Sequence, residues 1–145
     1  MNDIVSREIA DSLRNLGFDK PCVAYYDGVL LKIEKHFFNE FNLNSTFKKR
    51  EIINPHKVSA PNIGQAFRFL RKLGWYYEIY TLENGWEYYI QNQHHSWIGE
   101  GFDDDDTCEL RCLERIIDIQ TINNRKPTLS EEEKIRQLKN IFDHL

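Results

Sequence analysis

The chain has 145 residues, the size of one domain, and its 41% apolar and 13% aromatic content is enough for a packed core, which excludes global disorder. A formal net charge of −4 disfavours a dedicated nucleic-acid binder. The three cysteines, Cys22, Cys108 and Cys112, are an odd number without a disulfide-like pattern and suit a reducing cytosol, while no apolar run approaches the roughly 20 residues needed to span a membrane.

The first predicted helix runs from about Asp3 to Leu16, with Val5, Ile9, Leu13 and Leu16 as its apolar stripe. Its start, MNDIVSREIADSL, carries acids and reads as neither a signal nor a transit peptide. Gly17 ends the helix, and Phe18 can fold back on the last turn. KPCVAYYDGVLLKIE follows as two strands around a tight Asp27-Gly28 turn. Cys22, Ala24 and Tyr26 should then share a face with Val29, Leu31 and Ile33.

Residues 36 to 58 break this pattern. Asn39, Asn42, Asn44 and Ser45 suggest loop, and Phe37, Phe38, Phe41 and Phe47 suggest that it is partly pinned. From 32 to 57 there are six Lys and Arg against three acids. A loop of this length is functional, mobile or hides a short element.

Residues 60 to 92 form the organising unit. Ser59 is the expected cap of a helix that Pro61 helps to start. Ile63, Ala66, Phe67, Leu70 and Leu73 make its stripe, and Gly74 its stop. Trp75 to Leu82 has strand composition, and Asn84-Gly85 signals a type I′ hairpin. That turn would set Tyr80 opposite Tyr89, Ile79 opposite Ile90 and Thr81 opposite Tyr88. Trp75, Tyr77, Ile79, Trp86, Tyr88 and Ile90 then face the helix. Tyr76, Glu78, Tyr80, Glu87, Tyr89 and Gln91 face outward. A shift of 57 residues lays Leu13, Arg14, Leu16, Gly17, Gly28 and Ile33 on Leu70, Arg71, Leu73, Gly74, Gly85 and Ile90. Either the unit is duplicated, or each copy needs a glycine stop and a glycine turn for itself.

HHSWIGEGF is expected to add a fifth, edge strand. Asp103 to Asp106 precede a helix from about Thr107 to Gln120, whose wide apolar face includes Cys112, Leu113 and Ile116. NNRKPT is a linker. Ser130-Glu131-Glu132-Glu133 is a capping box for a last helix with Ile135, Leu138, Phe142 and Leu145 on one side. The expected fold is α+β, a single domain over residues 1–122. Its antiparallel sheet of four or five strands is built from two α-β-β units and packed by three helices. A linker at 123–128 leads to a C-terminal helix at 129–145.

GFDKPCVAYYD, SAPNIGQAFRFLRKLG running into WYYEIY, GWEYYI and CELRCLERIIDI together resemble a group of small uncharacterised proteins of gut Bacteroidetes and their phages or mobile elements. The resemblance covers about residues 6 to 120 and rests on fold motifs. It implies a cytoplasmic bacterial setting and an accessory role, and it brings no catalytic residue.

Candidate chemistry is sparse. Cys108 and Cys112 with His94 and His95 could make a zinc site, but the spacing is that of neither a finger nor a ribbon. Both cysteines also fall on an apolar helix face, where free cysteine commonly sits. Asp103 to Asp106 could ligate calcium, yet Cys108 stands where an EF-hand needs glycine. The alternative use is capping and favourable charge at a helix start. No nucleophile elbow, phosphate loop, HExxH or kinase signature occurs. No metal and no cofactor is expected.

Residues 60 to 120 can be read as α-β-β-β-α, the order of a double-stranded-RNA-binding domain. Over that stretch five basic residues stand against eleven acids, a net charge of −6, which would repel an RNA backbone.

The first functional reading is therefore a non-catalytic protein–protein interaction module, an accessory protein of a phage or mobile element. An unidentified protein partner would bind through Tyr76, Glu78, Tyr80, Glu87 and Tyr89. The bland alternative for these residues is cross-strand pairing, worth about 0.2–1 kcal/mol, or burial under the 36–58 loop. The second reading is a nucleic-acid accessory protein using the basic 32–57 segment, with Lys48, Lys49 and Arg50 as contacts. The third is a small enzyme. The helix at 129–145 is expected either to dock on the domain or to pair with a second copy, making a homo-oligomer.

Overall fold

The computed structural model describes residues 3–33 and 56–125 and, in the C-terminal segment, residues 135, 136, 138, 139, 141 and 143. The element order is α1 (Arg7–Asn15), β1 (Ala24–Asp27), β2 (Leu30–Ile33), β3 (Lys57–Ser59), α2 (Ile63–Lys72), β4 (Tyr76–Leu82), β5 (Gly85–Gln91), β6 (Ser96–Phe102) and α3 (Asp105–Arg125). The class is α+β, and both expected α-β-β units are present.

The expected single sheet of four or five strands is not what forms. The described strands make two three-stranded antiparallel sheets, ordered β2-β1-β3 and β4-β5-β6. The reason lies in β3, the short element at the end of the 36–58 stretch. It pairs with β1, Tyr25 opposite Ser59 and Tyr26 opposite Val58. With β2 on the other side of β1, neither edge of β1 is left for the second unit. The anticipated edge strand is β6.

The two unit helices end alike. Gly17 and Gly74 have φ of 98° and 102°, the left-handed conformation that glycine adopts without a Cβ penalty. Gly17 N–H donates to Arg14 O and Gly74 N–H to Arg71 O, both at 3.0 Å. Phe18 N–H then reaches back to Leu13 O at 2.9 Å and Trp75 N–H to Leu70 O at 3.2 Å. This pair of bonds is a Schellman motif, and it turns Phe18 and Trp75 into the core. Beyond these residues the units diverge. β4 begins two residues after Gly74, whereas β1 begins seven residues after Gly17.

The start of α2 differs from expectation. Ser59 lies buried in β3, and the cap is Asn62. Asn62 Oδ1 accepts from Gln65 N–H at 2.7 Å while Gln65 Oε1 accepts from Asn62 N–H at 3.1 Å, a capping box. The third helix is longer than expected at both ends. Asp104 Oδ1 accepts from Thr107 N–H at 2.6 Å and so opens the helix earlier. No glycine or proline interrupts it before Pro127, so it runs through residues 123–125 of the expected linker.

Both tight turns are displaced by one residue from their expected centres. Asp27 pairs with Leu30, so Gly28 and Val29 make the first turn. Leu82 pairs with Gly85, so Glu83 and Asn84 make the second. Gly85 instead opens β5 at φ 125°, where a Cβ would lie 2.7 Å from the Phe102 carbonyl oxygen of β6. Its glycine serves a close strand approach rather than the turn. Moving a turn centre by one residue moves every cross-strand partner by two. The two faces of β4 and β5 are therefore those expected, although the partners differ.

A single core joins both units. It contains Val5, Ile9 and Leu13 around α1, Phe67 and Leu70 of α2, Tyr88 and Ile90 of β5, and Cys108, Cys112, Leu113 and Ile116 of α3. Burial of such a side chain contributes about 1.5–3 kcal/mol for each large residue. α1 is further tied to the first sheet by polar contacts. Arg7 Nη1 donates to Gly28 O and His56 O, both at 2.9 Å, and Arg14 Nη1 donates to Lys57 O at 3.1 Å. Tyr26 Oη donates to Val5 O at 2.8 Å.

Candidate functional site

The second sheet has one face covered by α2 and α3 and an opposite face on which Tyr76 and Glu78 are exposed while Tyr80, Glu87 and Tyr89 are half-buried. On the covered side the Phe67 ring of α2 stacks on Tyr77 at 4.0 Å between centroids, with 19° between the planes. Arg71 lies 5.3 Å over the same ring and donates to Tyr77 Oη at 3.2 Å. Trp75 Nε1 donates to Gln120 Oε1 of α3 at 2.8 Å. Alternation along the strands then sends Tyr76, Glu78, Tyr80, Glu87 and Tyr89 to the opposite side. The structure brings all five expected residues together on that face.

The pairing within the face differs from expectation. Tyr80 stands opposite Glu87 and Tyr89 opposite Glu78, so the two tyrosines are not direct partners. The displaced turn is the cause. Each tyrosine hydroxyl has a nearby acceptor. Tyr76 Oη donates to Glu78 Oε1, Tyr80 Oη to Glu87 Oε2 at 2.8 Å, and Tyr89 Oη to Gln91 Oε1 at 2.8 Å. The Tyr76 and Tyr89 rings meet edge-on at 6.3 Å. The hydrogen bond to Glu78 raises the pKa of Tyr76, and the bond to Glu87 raises that of Tyr80. Both shifts favour the neutral phenol.

Residues beyond the expected five share this surface. Ile98 of β6 is the cross-strand neighbour of Tyr89, and Tyr76, Leu82 and Ile98 are 50%, 53% and 58% exposed. Glu100 lies near enough to act on Tyr80. The signal for Ile98 and Glu100 was the same alternation, read one strand further. Aromatic, aliphatic and acidic side chains are thus interleaved on this surface, with Glu87 opposite Tyr80 and Glu78 opposite Tyr89. Its charge is one-sided: between Lys72 and Arg111 there are nine Asp and Glu and no Lys or Arg.

The other candidates are dispersed. His94 and His95 sit exposed in the β5–β6 turn, where their N–H groups donate to Asn92 Oδ1 at 2.9 and 2.8 Å. Cys108 and Cys112 are buried on α3, and burial pushes the Cys112 thiol up to about 12. Among the described residues no three His, Cys, Asp or Glu side chains are grouped to hold a metal ion. In the acidic run, Asp104 accepts from Thr107 N–H, which lowers its pKa, and Asp105 Oδ1 accepts from Asp106 N–H at 3.0 Å.

The order α2-β4-β5-β6-α3 realises the α-β-β-β-α pattern of an RNA-binding domain. These aspartates occupy the start of its last helix, where phosphate recognition needs cations. Lys48, Lys49 and Arg50 lie outside the described residues. Between α1 and α3 a cleft of about 320 Å³ is lined by Ser6, Glu8, Ser12, Arg111, Glu114 and Asp118. Arg111 there is paired with Glu114 at 2.6 Å, and Ser6 Oγ accepts from Ile9 N–H as the α1 cap. Among the described residues no helix is long and apolar enough to cross a membrane. No protein-family model matches the chain, and no curated protein or solved structure matches it either.

Proposed function

We propose that the protein is a non-catalytic interaction module whose open β4–β6 face docks a partner protein rich in Lys and Arg. The observation that carries the reading is the composition of that face. Tyr76, Tyr80, Leu82, Tyr89 and Ile98 offer contact area, and Glu78, Glu87 and Glu100 offer only negative charge. Tyrosine suits an interface because it presents a large ring and a polar tip at low entropy cost. The neighbouring carboxylates favour ion pairs, and the rings favour cation–π contact with the same cations. They disfavour stacked nucleic acid for the same reason.

The cytoplasmic setting and the accessory role for a phage or mobile element belong to the same proposal. They rest on the resemblance in the quoted sequence stretches. Self-association through residues 129–145 is its second part, supported by the exposure of Ile135, Leu138 and Ile141.

The test is capture of the partner from the native host by the intact chain and by a Tyr80→Ala, Tyr89→Ala double variant. Partner recovery should fall by more than ten-fold while the circular dichroism of the domain stays unchanged. Normal capture by the double variant would remove the face from consideration. A salt-sensitive gel shift on mixed DNA and RNA would favour the basic 32–57 segment instead.

A further inference from the structure

Among the described residues four strands lie at sheet edges, and they are not equally protected. β3 has three residues and β2 four. β6 carries Gly99 and Gly101 and a register irregularity opposite Trp86 and Tyr88. Short strands, bulges, charged side chains (lysine above all) and proline are the usual means of blocking edge-to-edge pairing, and of these β4 carries only a single charge, Glu78. It is seven residues long, Tyr-Tyr-Glu-Ile-Tyr-Thr-Leu, and it keeps an unbroken register with β5 from Tyr76 to Leu82. Among the described residues β5 is its only ladder partner. A shallow depression of about 440 Å³, lined by Gly74, Tyr76, Gln91, Asn92 and Gln93, opens at the first residue of the strand.

From this edge and the charge beside it, we infer that β4 accepts an extended segment of a partner as a fourth strand, with Lys or Arg at alternate positions facing outward. An added strand lies about 4.8 Å from β4 and gains main-chain hydrogen bonds along the edge. Its outward side chains stand beside Tyr76, Glu78 and Tyr80, within reach of an ion pair and of ring faces. Its inward side chains stand beside Tyr77 and Ile79, both half-buried, and near the Arg71 guanidinium. Those positions call for apolar residues. The recognised pattern is therefore basic–apolar alternation. A second copy of this chain does not fit, because pairing β4 with itself would bring two acidic faces together. This inference rests on the docking reading of the open face and adds to it the edge, the backbone conformation and the alternation.

The probe is a fluorescein-labelled ten-residue peptide alternating Lys and Val, titrated with the full chain at physiological salt and read by anisotropy. Controls are the Glu–Val counterpart and two N-methylated forms, one methylated at every Lys and one at every Val. In an extended strand the N–H groups of alternate residues point to the same side. Addition to one edge therefore needs one set and leaves the other free. The Lys–Val peptide should bind at least ten-fold tighter than Glu–Val. One methylated form should lose more than ten-fold in affinity and the other should stay within about two-fold, and Glu78→Gln should weaken binding several-fold.

Equal binding by both methylated forms would overturn the edge inference. If the Tyr80→Ala, Tyr89→Ala variant then still weakened binding, the docking face itself would stand. Binding unchanged in that variant would count against the face. No preference for Lys–Val over Glu–Val would overturn the inference through its charge requirement.

Discussion

The Tyr80 hydroxyl donates a 2.8 Å hydrogen bond to Oε2 of Glu87, the residue directly across from it on β5. The bond favours the neutral phenol, and burial and the charges of Glu87, Glu100 and Glu78 act in the same direction. A raised folded-state pKa gives a stabilising contribution that is complete below the ordinary tyrosine value of about 10 and is lost as pH rises through the folded value. Glu87→Gln should move the Tyr80 titration to lower pH, followed by the ring-carbon resonance of labelled tyrosine. An unmoved Tyr80 resonance would show that the carboxylate does not hold the phenol.

Gly99 and Tyr88 form a second cross-strand pair, in which the aromatic ring covers the glycine. A Cβ built at Gly99 would lie within 3 Å of the Tyr88 ring atoms and hydroxyl. Tyr88 is buried and stacks on Phe102 at 5.8 Å, so the ring has little room to give. Gly99→Ala should cost about 1–3 kcal/mol, the usual range for overpacking a core. Urea denaturation measures it. A cost below about 0.5 kcal/mol, the size of an ordinary surface substitution, would mean that the ring moves freely.

The α2 cap separates two readings of one short stretch. Asn62→Ala should destabilise the domain by about 1 kcal/mol, because it removes an acceptor from the first turn of the helix. Gln65→Ala breaks the other half of the box and also the bond from Gln65 Nε2 to Pro21 O at 3.2 Å. Equal thermal midpoints for wild type and Asn62→Ala would refute the capping role.

That stretch also shows which parts of the fold the sequence carried. The glycine stops at Gly17 and Gly74, the inner parts of the helix stripes and the two faces of β4 and β5 follow from local chemistry and were readable directly. In contrast, α1 begins only at Arg7, leaving the expected stripe residue Val5 before it, Leu73 of the α2 stripe is exposed, and Val29, expected on a strand face, is an exposed turn residue. Ser59 misled because a residue with good capping chemistry lies in a strand whose partner, Tyr25, is 34 positions away in the chain. Gly85 misled because its glycine is needed by Phe102 of β6, again a contact made between strands. The five expected site residues survived the turn error because a two-residue change of partner keeps each side chain on its face. Ile98 and Glu100 join them only once β6 is laid beside β5. The division into two sheets depends on β3, a three-residue strand too short to carry a periodic signal in the sequence.

The thiols give a prediction with a clear sign. Burial, then the charges of Cys108 and Glu109, push Cys112 up to about 12, and Cys108 is also raised, chiefly by burial. Unfolded thiols titrate near 8.5, so this contribution to stability is complete below that pH and is lost between about 8.5 and 12. At pH 8 iodoacetamide should leave Cys108 and Cys112 unmodified in the folded chain and modify both in denaturant, as read by intact mass. Rapid alkylation of the native protein would contradict the burial of these side chains.

The C-terminal segment tests the assembly. Residues 135, 136, 138, 139, 141 and 143 are helical, and Ile135, Leu138 and Ile141 are exposed. A helix of about 15 residues is marginal in water on its own, so its apolar side needs a partner surface. The proposed partner is the same segment of a second copy. Light scattering on the full chain should give a mass above that of one chain that falls on dilution. Ending the chain after Arg125 leaves α3 whole, and this truncated form should be monomeric at all concentrations with an unchanged thermal midpoint. Leu138→Lys in the full chain should have the same effect on mass, since it places a charge on the apolar side without shortening the helix. If full chain, truncated form and Leu138→Lys all scatter as single chains, the segment does not mediate self-association.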